Sequence, residues 1–296
     1  MASSRKTSHS RGRSGGRAGG SGYDYQDLYV ALHLAELLVG GSRNPLLEVL
    51  WEKKAIDAVG GVESVYVDDL ILLHQSGAWA YVQLKENAPR GGWSVRHLIQ
   101  SGVAEQFWRQ WSVRPIEQRK HTTLRLATSG DVAPIRDLVD VALRSRTPRE
   151  LLSDEGSASA TGSVAALADA LGLRSDGPDL LAFLRALDAV QVPAAPGLDA
   201  WIARTLVGFG EHAPHVADRL VRFIGESKHA GHAARASYLR GALIDRLLAD
   251  GLPVEQLIGA GVLRAAPCWR RPNIDPLCRL NIDPGTGAAV ATCGCG

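Results

Sequence analysis

Cysteine is missing from most of this 296-residue chain: all four (Cys268, Cys278, Cys293 and Cys295) lie near its end. A small secreted domain held by disulfides would not leave so long a stretch unstapled, so a reducing compartment is expected. Their spacing, C-x9-C-x14-C-x-C, matches no zinc knuckle. The sequence also contains no Gly-Lys pair, which excludes a phosphate-binding loop of the G-x-x-x-x-G-K-[ST] type. No apolar run approaches the roughly 20 residues that span a bilayer, and the N-terminus lacks the apolar core of a secretory signal. Cytoplasmic location with no membrane partner is the expectation.

Acid is absent from residues 1–22, where Arg5, Lys6, Arg11, Arg13 and Arg17 stand among serine and glycine. Such a segment has too little to bury to offset the entropy of ordering, so a disordered basic tail is expected. It serves either as a solvated leader or as a sequence-blind phosphate contact. The whole chain carries a formal charge of +2 from 33 basic and 31 acidic residues. Without the tail the balance turns slightly acidic, so no global basic footprint marks the folded part.

What remains is ordinary for a globular protein, with 45% hydrophobic and 22% charged residues. In "YDYQDLYVALHLAELLV", from Tyr23 to Val39, apolar residues recur at helical spacing up to Gly40-Gly41. "LLEVLW" (46–51) reads as a strand and "EKKAIDAVGGVE" as turn and loop. "VDDLILLHQSGAWAYVQLKEN" (67–87) is a strand pair split by "HQSGA". A helix is expected over 94–111, with Phe107, Trp108 and Trp111 on a stripe that suits core packing better than base stacking. "HTTLRLATSG" (121–130) is a strand, and "APIRDLVDVALRS" a helix. This order predicts an α/β fold, a mixed β-sheet flanked by helices.

Composition changes at 153–163, "SDEGSASATGS", which reads as a linker. Beyond it, about five helices predict a smaller all-helical domain over 164–262. The first is expected to be capped by Ser163 and stopped by Gly172. Residues 263–296 read as an irregular Cys-containing tail, leaving 23–152 as the α/β domain. The pairs His212/His215 and His229/His232 have i,i+3 spacing but no third ligand in pattern, which suits exposed helix-end histidines.

The strand pair 67–87 carries two adjacent aspartates, a glutamine and a lysine in an otherwise apolar context. Side chains alternate along a strand, so Gln83 and Lys85 share a face and Leu84 points away. With "HQSGA" as the turn, Leu73 faces Trp79 and Asp69 faces Gln83, with Lys85 diagonal to Asp69. A one-residue slip would bring Asp68 opposite Gln83 instead. Such a cluster suits a hard Mg²⁺ ion, which takes oxygen ligands and keeps several waters. Asp69, or Asp68 in the slipped register, offers a carboxylate, Gln83 an amide oxygen and Leu84 a backbone carbonyl. Lys85 is placed to orient water or neutralise charge on a phosphoryl group. The alternative is an ion pair of Asp69 and Lys85 hydrogen-bonded to Gln83.

The pattern D…Q-x-K on consecutive strands after an N-terminal helix resembles the PD-(D/E)xK, restriction-endonuclease-like nucleases, in the variant with glutamine for the middle acid. More narrowly, "GSGYDYQDLYVALHLAELL", "VDDLILL", "AYVQLKEN", Trp93 and "LRLATSG" resemble the effector nuclease domain of bacterial antiphage systems, including CBASS endonucleases and nuclease heads fused to NACHT-type STAND ATPases. The resemblance covers roughly residues 20–150 and, more weakly, the helical half. It implies a restriction-endonuclease-like sheet, Mg²⁺ or Mn²⁺ as cofactor, double-stranded DNA as substrate, and catalytic residues at Asp69, Gln83 and Lys85. Gln26 matches a Tyr-Gln near the family's active site, and Glu52 is a candidate extra acid. A homo-oligomer, or a sensor or STAND ATPase partner, would control activity. Local bases (Lys53, Lys54, Lys85, Arg90, Arg96) would then meet the DNA. RNA stays open as a substrate, because nothing in the sequence reads a 2′-hydroxyl. The competing expectation is a catalytically inactive nuclease-fold module that binds nucleic acid or an ATPase partner.

Overall fold

The computed structural model describes residues 25–252 except 41–43, 52–54, 59–60, 68, 87–88, 154–157 and 230–236, together with strand segments at 280–282 and 289–291. Helix α1 (Tyr25–Val39) is buried along most of its length, and Gly40, at φ +66°, ends it. Strand β1 (Leu46–Trp51) follows, then a separate two-stranded ribbon of β2 (Ala55–Ala58) and β3 (Gly61–Ser64) where turn and loop were expected. The two strands pair antiparallel, with Ala55 opposite Ser64 and Ala58 opposite Gly61.

Strands β4 (Leu70–His74) and β5 (Trp79–Lys85) pair antiparallel with Leu73 opposite Trp79 and Leu70 opposite Val82. This is the unslipped register. Gly77, at φ +79°, supplies the left-handed residue that the connecting turn needs. The single helix expected over 94–111 is two, α2 (Val95–Gln100) and α3 (Val103–Val113). Gly102, at φ +76°, separates them, since a left-handed residue cannot continue a right-handed helix. Phe107 and Trp111 are buried as core residues, and Trp108 packs against the same cluster.

After a short α4 (Ile116–Arg119), strand β6 (Thr122–Thr128) runs parallel to β5, and helix α5 (Ala133–Arg144) leaves it. Helices α6 (Pro148–Ser153) and α7 (Ala158–Leu171) occupy most of the stretch that reads as a linker. The serines, threonine and glycine there have low helix propensity, but packing overrides it: Val164, Leu167 and Ala168 bury one stripe of α7. Ser163 lies inside α7 rather than capping it, whereas Gly172, at φ +67°, does end it.

The second half is not all helical. After α8 (Pro178–Ala186), strand β7 (Leu187–Gln191) pairs parallel with β6. Helix α9 (Ala195–Thr205), a 3₁₀ segment (Val207–His212) and α10 (Ala213–His229) follow. Strand β8 (Ser237–Leu239) then pairs antiparallel with β1, ahead of α11 (Arg240–Ala249). The main sheet therefore runs β7-β6-β5-β4-β1-β8, with both edge strands supplied from beyond residue 164.

Helices cover both faces. Leu70, Leu72, Ala80, Val82 and Leu84 pack with α1, α9, α10 and α11, while Ile71, Tyr81, Leu124 and Leu126 pack with α2, α3, α5, α7 and α8. This is the expected α/β class, a mixed sheet flanked by helices, but the helices of the second half share the cores of the first. The physical reason is the edge strands: an exposed sheet edge offers unpaired backbone groups, and β7 and β8 cover the two that β6 and β1 would otherwise leave. The four cysteines, His232 and residues 1–22 lie outside the described residues. Among the described residues no helix is long and apolar enough to cross a membrane.

Candidate metal and phosphate site at the end of the central hairpin

By strand alternation, Gln83 stands on the same face of β5 as Tyr81, whose ring is buried among α2 and α3 residues. Asp69 immediately precedes β4 on the same face as Ile71. The register brings the two together at the open end of the hairpin. The Gln83 amide Nε2 donates to the Asp69 carboxylate Oδ2, and the Leu84 backbone N–H donates to the same oxygen at 2.8 Å. Asp69 thus takes the ladder position that β4 no longer fills. Leu84 presents its N–H and C=O to the same edge of the strand, so its carbonyl also opens toward the Asp69 side.

Gln83 is only 4% exposed, and its Oε1 has no hydrogen-bond partner among the described residues. A buried carbonyl oxygen without a donor costs about 1–3 kcal/mol. Lys85, two residues on along the same face, is half-buried. Its end of β5 is tied to the end of β6, where the Ser129 hydroxyl donates to the Glu86 carbonyl and Gln191 Nε2 donates to the Ser129 carbonyl at 3.4 Å.

Gln26 reaches the site from the other face, donating from Nε2 to the Asp69 backbone carbonyl at 3.4 Å. It therefore supports the backbone of Asp69. Beside it, the Tyr25 hydroxyl is pushed up to about 12 by burial first, then by Tyr29 and Glu86. Asp68, Glu52, Lys53 and Lys54 lie outside the described residues, so the structure brings together Asp69, Gln83, Leu84, Lys85 and Gln26 from the expected set. Arg90 and Arg96 are exposed. Among the described residues no three His, Cys, Asp or Glu side chains gather as a metal site of their own.

Residues 89–92 form a tight turn ahead of α2. Gly92 N–H donates to the Pro89 carbonyl at 2.9 Å, and Trp93 N–H to the Asp131 carbonyl at 2.7 Å. Gly92 sits at φ +88°, and a Cβ there would meet Asp131 Cβ and carbonyl oxygen at 2.9 Å. Gly92→Ala should therefore lower stability by about 1–3 kcal/mol; an unchanged urea midpoint would contradict the close approach. Ser94 then caps α2, its hydroxyl accepting from His97 N–H.

The sequence alone did not single out a groove of about 410 Å³ on the opposite face of the sheet, bounded by α1, α9 and the end of β7. Arg125 lines it and pairs with Asp188 on the neighbouring strand at 2.7 Å, and burial above all pushes the Tyr29 hydroxyl beside it up to about 12. Arg125 and Asp188 are 63 positions apart and meet only because β6 and β7 are parallel neighbours.

No family model and no curated protein matches the chain. Among solved structures it is similar to a Moraxella osloensis Cap4 SAVED/CARF-domain containing receptor, at 13% identity and a TM-score of 0.44, over 80% of this chain and 48% of that one. It is also similar to the Acinetobacter baumannii Cap4 SAVED/CARF-domain containing receptor with the cyclic trinucleotide 3'3'3'-cAAA, at 11% identity and a TM-score of 0.44, over 82% of this chain and 50% of that one. The chain spans about half the length of these structures.

Proposed function

We propose that this protein is a metal-dependent endonuclease that cuts double-stranded DNA as a cytoplasmic effector of bacterial antiphage defence. The observation that carries the reading is the meeting of Asp69, Gln83 and the Leu84 backbone at the open end of the hairpin, with Lys85 next on the same face. The donor set is all oxygen: one carboxylate, one amide and one backbone carbonyl. That composition fits Mg²⁺ or Mn²⁺, which bind one or two carboxylates and keep waters for substrate exchange. The buried Gln83 Oε1, without a donor among the described residues, fits the same role. Facing a carboxylate the amide presents its nitrogen, and facing a cation it presents its oxygen, so rotation of one amide suits both.

Asp69, Gln83 and Leu84 would hold the metal, which when bound polarises a phosphodiester and acidifies a water. Asp69 also fixes the end of β5 by accepting from Leu84. Lys85 contributes a positive charge beside the scissile phosphate and stabilises charge that grows on its oxygens. Gln26 holds the Asp69 backbone. Arg90 and Arg96 offer exposed charge to the DNA backbone. Cutting both strands calls for two sites, so a homo-oligomer, or a sensor or ATPase partner that assembles copies, is the proposed active form.

The test is conversion of supercoiled plasmid to nicked and linear forms in Mg²⁺, with EDTA as control. A single-stranded RNA of matched length tests the alternative substrate. Loss of cleavage in EDTA supports the reading, and metal-independent cleavage counts against it. The second reading, a catalytically inactive module, draws on the Gln83 amide donating to Asp69, an arrangement that also serves a purely structural pair. Gln83→Glu separates the two. A second carboxylate adds ligand charge, so Mg²⁺ titration calorimetry should show roughly tenfold tighter binding, whereas a structural pair gains no affinity and only loses a donor.

A further inference from the structure

Gln110 lies on α3, is 0% exposed, and belongs to neither the hairpin nor the residues that meet at its end. Its neighbours along the helix, Phe107 and Trp111, are core side chains. A buried amide in such surroundings is costly unless its polar atoms are used. The Gln110 Nε2 has no partner among the described residues, but its Oε1 is used twice: it accepts from the Tyr66 backbone N–H at 2.8 Å and from the Val67 N–H at 3.4 Å. These are successive donors in the segment that leads into β4, and Asp69 follows two residues later. Val67 is fully buried, so the amide and the Val67 side chain hold the same two residues.

Asp69 is thereby located from two sides. Gln26 on α1 takes its carbonyl from one face of the sheet, and Gln110 on α3 holds the approach from the other. We infer that Gln110 is a positioning residue that sets the place of the Asp69 carboxylate relative to Gln83 and Leu84. This rests on the metal site proposed above. Without the Gln110 oxygen, the Tyr66 and Val67 N–H groups lose their acceptor and the segment before Asp69 gains freedom. The carboxylate then spends less time where it accepts from Leu84. Supporting residues of this kind change metal affinity by about 10- to 100-fold when removed.

The experiment compares wild type, Gln110→Met and Gln110→Glu in the full chain. Methionine keeps length and volume but offers no oxygen acceptor, and glutamate restores one at the same reach. Mn²⁺ and Mg²⁺ binding are measured by calorimetry at a temperature where circular dichroism shows each variant folded, with amide hydrogen exchange at Tyr66 and Val67 followed in parallel. The expected result is at least tenfold weaker metal binding and faster exchange at both amides in Gln110→Met, with Gln110→Glu close to wild type. Wild-type affinity in a folded Gln110→Met overturns the inference and leaves the proposed function standing. Equal loss in both variants overturns it too, because a structural defect would not be rescued by an oxygen. A wild-type protein that binds neither cation overturns the metal site itself, and this inference with it.

Discussion

Cleavage of supercoiled plasmid in Mg²⁺ should fall by about 10²–10³-fold in Lys85→Ala, the range seen when one charge-stabilising donor is removed from a preorganised site. Lys85 is half-buried at the last position of β5, where truncation leaves no large cavity and the ladder to β6 intact. The loss should therefore appear in kcat with the melting temperature nearly unchanged. Asp69→Asn is the companion. Its amide keeps the size of the carboxylate and one oxygen to accept from Leu84, but removes the negative charge that a cation needs. The two variants should fail in different ways: Asp69→Asn loses metal binding as well as cleavage, while Lys85→Ala still binds metal. A Lys85→Ala protein that cuts at the wild-type rate would remove the lysine from the chemistry and with it the proposed mechanism.

Phe183→Ala should destabilise the protein by about 3–5 kcal/mol, the usual cost of deleting a buried phenyl ring from a core. Phe183 is 0% exposed on α8, and its ring stands edge-on to Trp108 at 5.4 Å and to Trp111 at 6.1 Å between centroids. Those tryptophans belong to α3, so the ring joins a helix from beyond residue 164 to the helix that carries Gln110. For a chain of this length the melting temperature should drop by about 6–20 °C. The informative part is cooperativity. If the second half were an independent helical domain, Phe183→Ala would split thermal unfolding into two transitions, one of them at the wild-type temperature. With β7 in the sheet and α8 in the same core, unfolding should stay a single shifted transition. Scanning calorimetry distinguishes the outcomes.

The same contrast marks where sequence reasoning reached and where it stopped. The hairpin register was legible because β-strand alternation has a period of two: apolar residues at 70, 72, 80, 82 and 84 commit one face to the α1 core, and a one-residue slip would turn every one of them over. Asp69 opposite Gln83 is the register this pattern favours, while the slipped alternative with Asp68 stayed open in the sequence until the pairing of Leu70 with Val82 decided it. Helix α1 was legible for the same kind of local reason, an apolar run ended by Gly40. The break at Gly102 was harder to read, since an isolated glycine in a helical pattern is tolerated as often as it interrupts.

The linker at 153–163 and the all-helical second half misled for a different reason. "LDAVQ" (187–191) directly follows a helix and is too short to show a clear period, so nothing local separates it from the helix end. It becomes a strand because β6 has an open edge beside it. "SYL" (237–239) becomes one because β1 does. The groove and the Arg125–Asp188 pair were invisible for that reason as well, since both exist only once β7 lies beside β6.

By itself, then, the sequence determined the α/β class, the central hairpin and the candidate side chains at its open end, because these follow from local periodicity and turn chemistry. Only the tertiary structure decided that both edge strands of the sheet come from the second half, that Gln26 and Gln110 hold Asp69 from opposite faces, and that the buried Gln83 oxygen has no donor among the described residues. Those outcomes depend on which open edges and buried backbone donors find partners in the folded chain, and the partners stand from 43 to nearly 200 residues away.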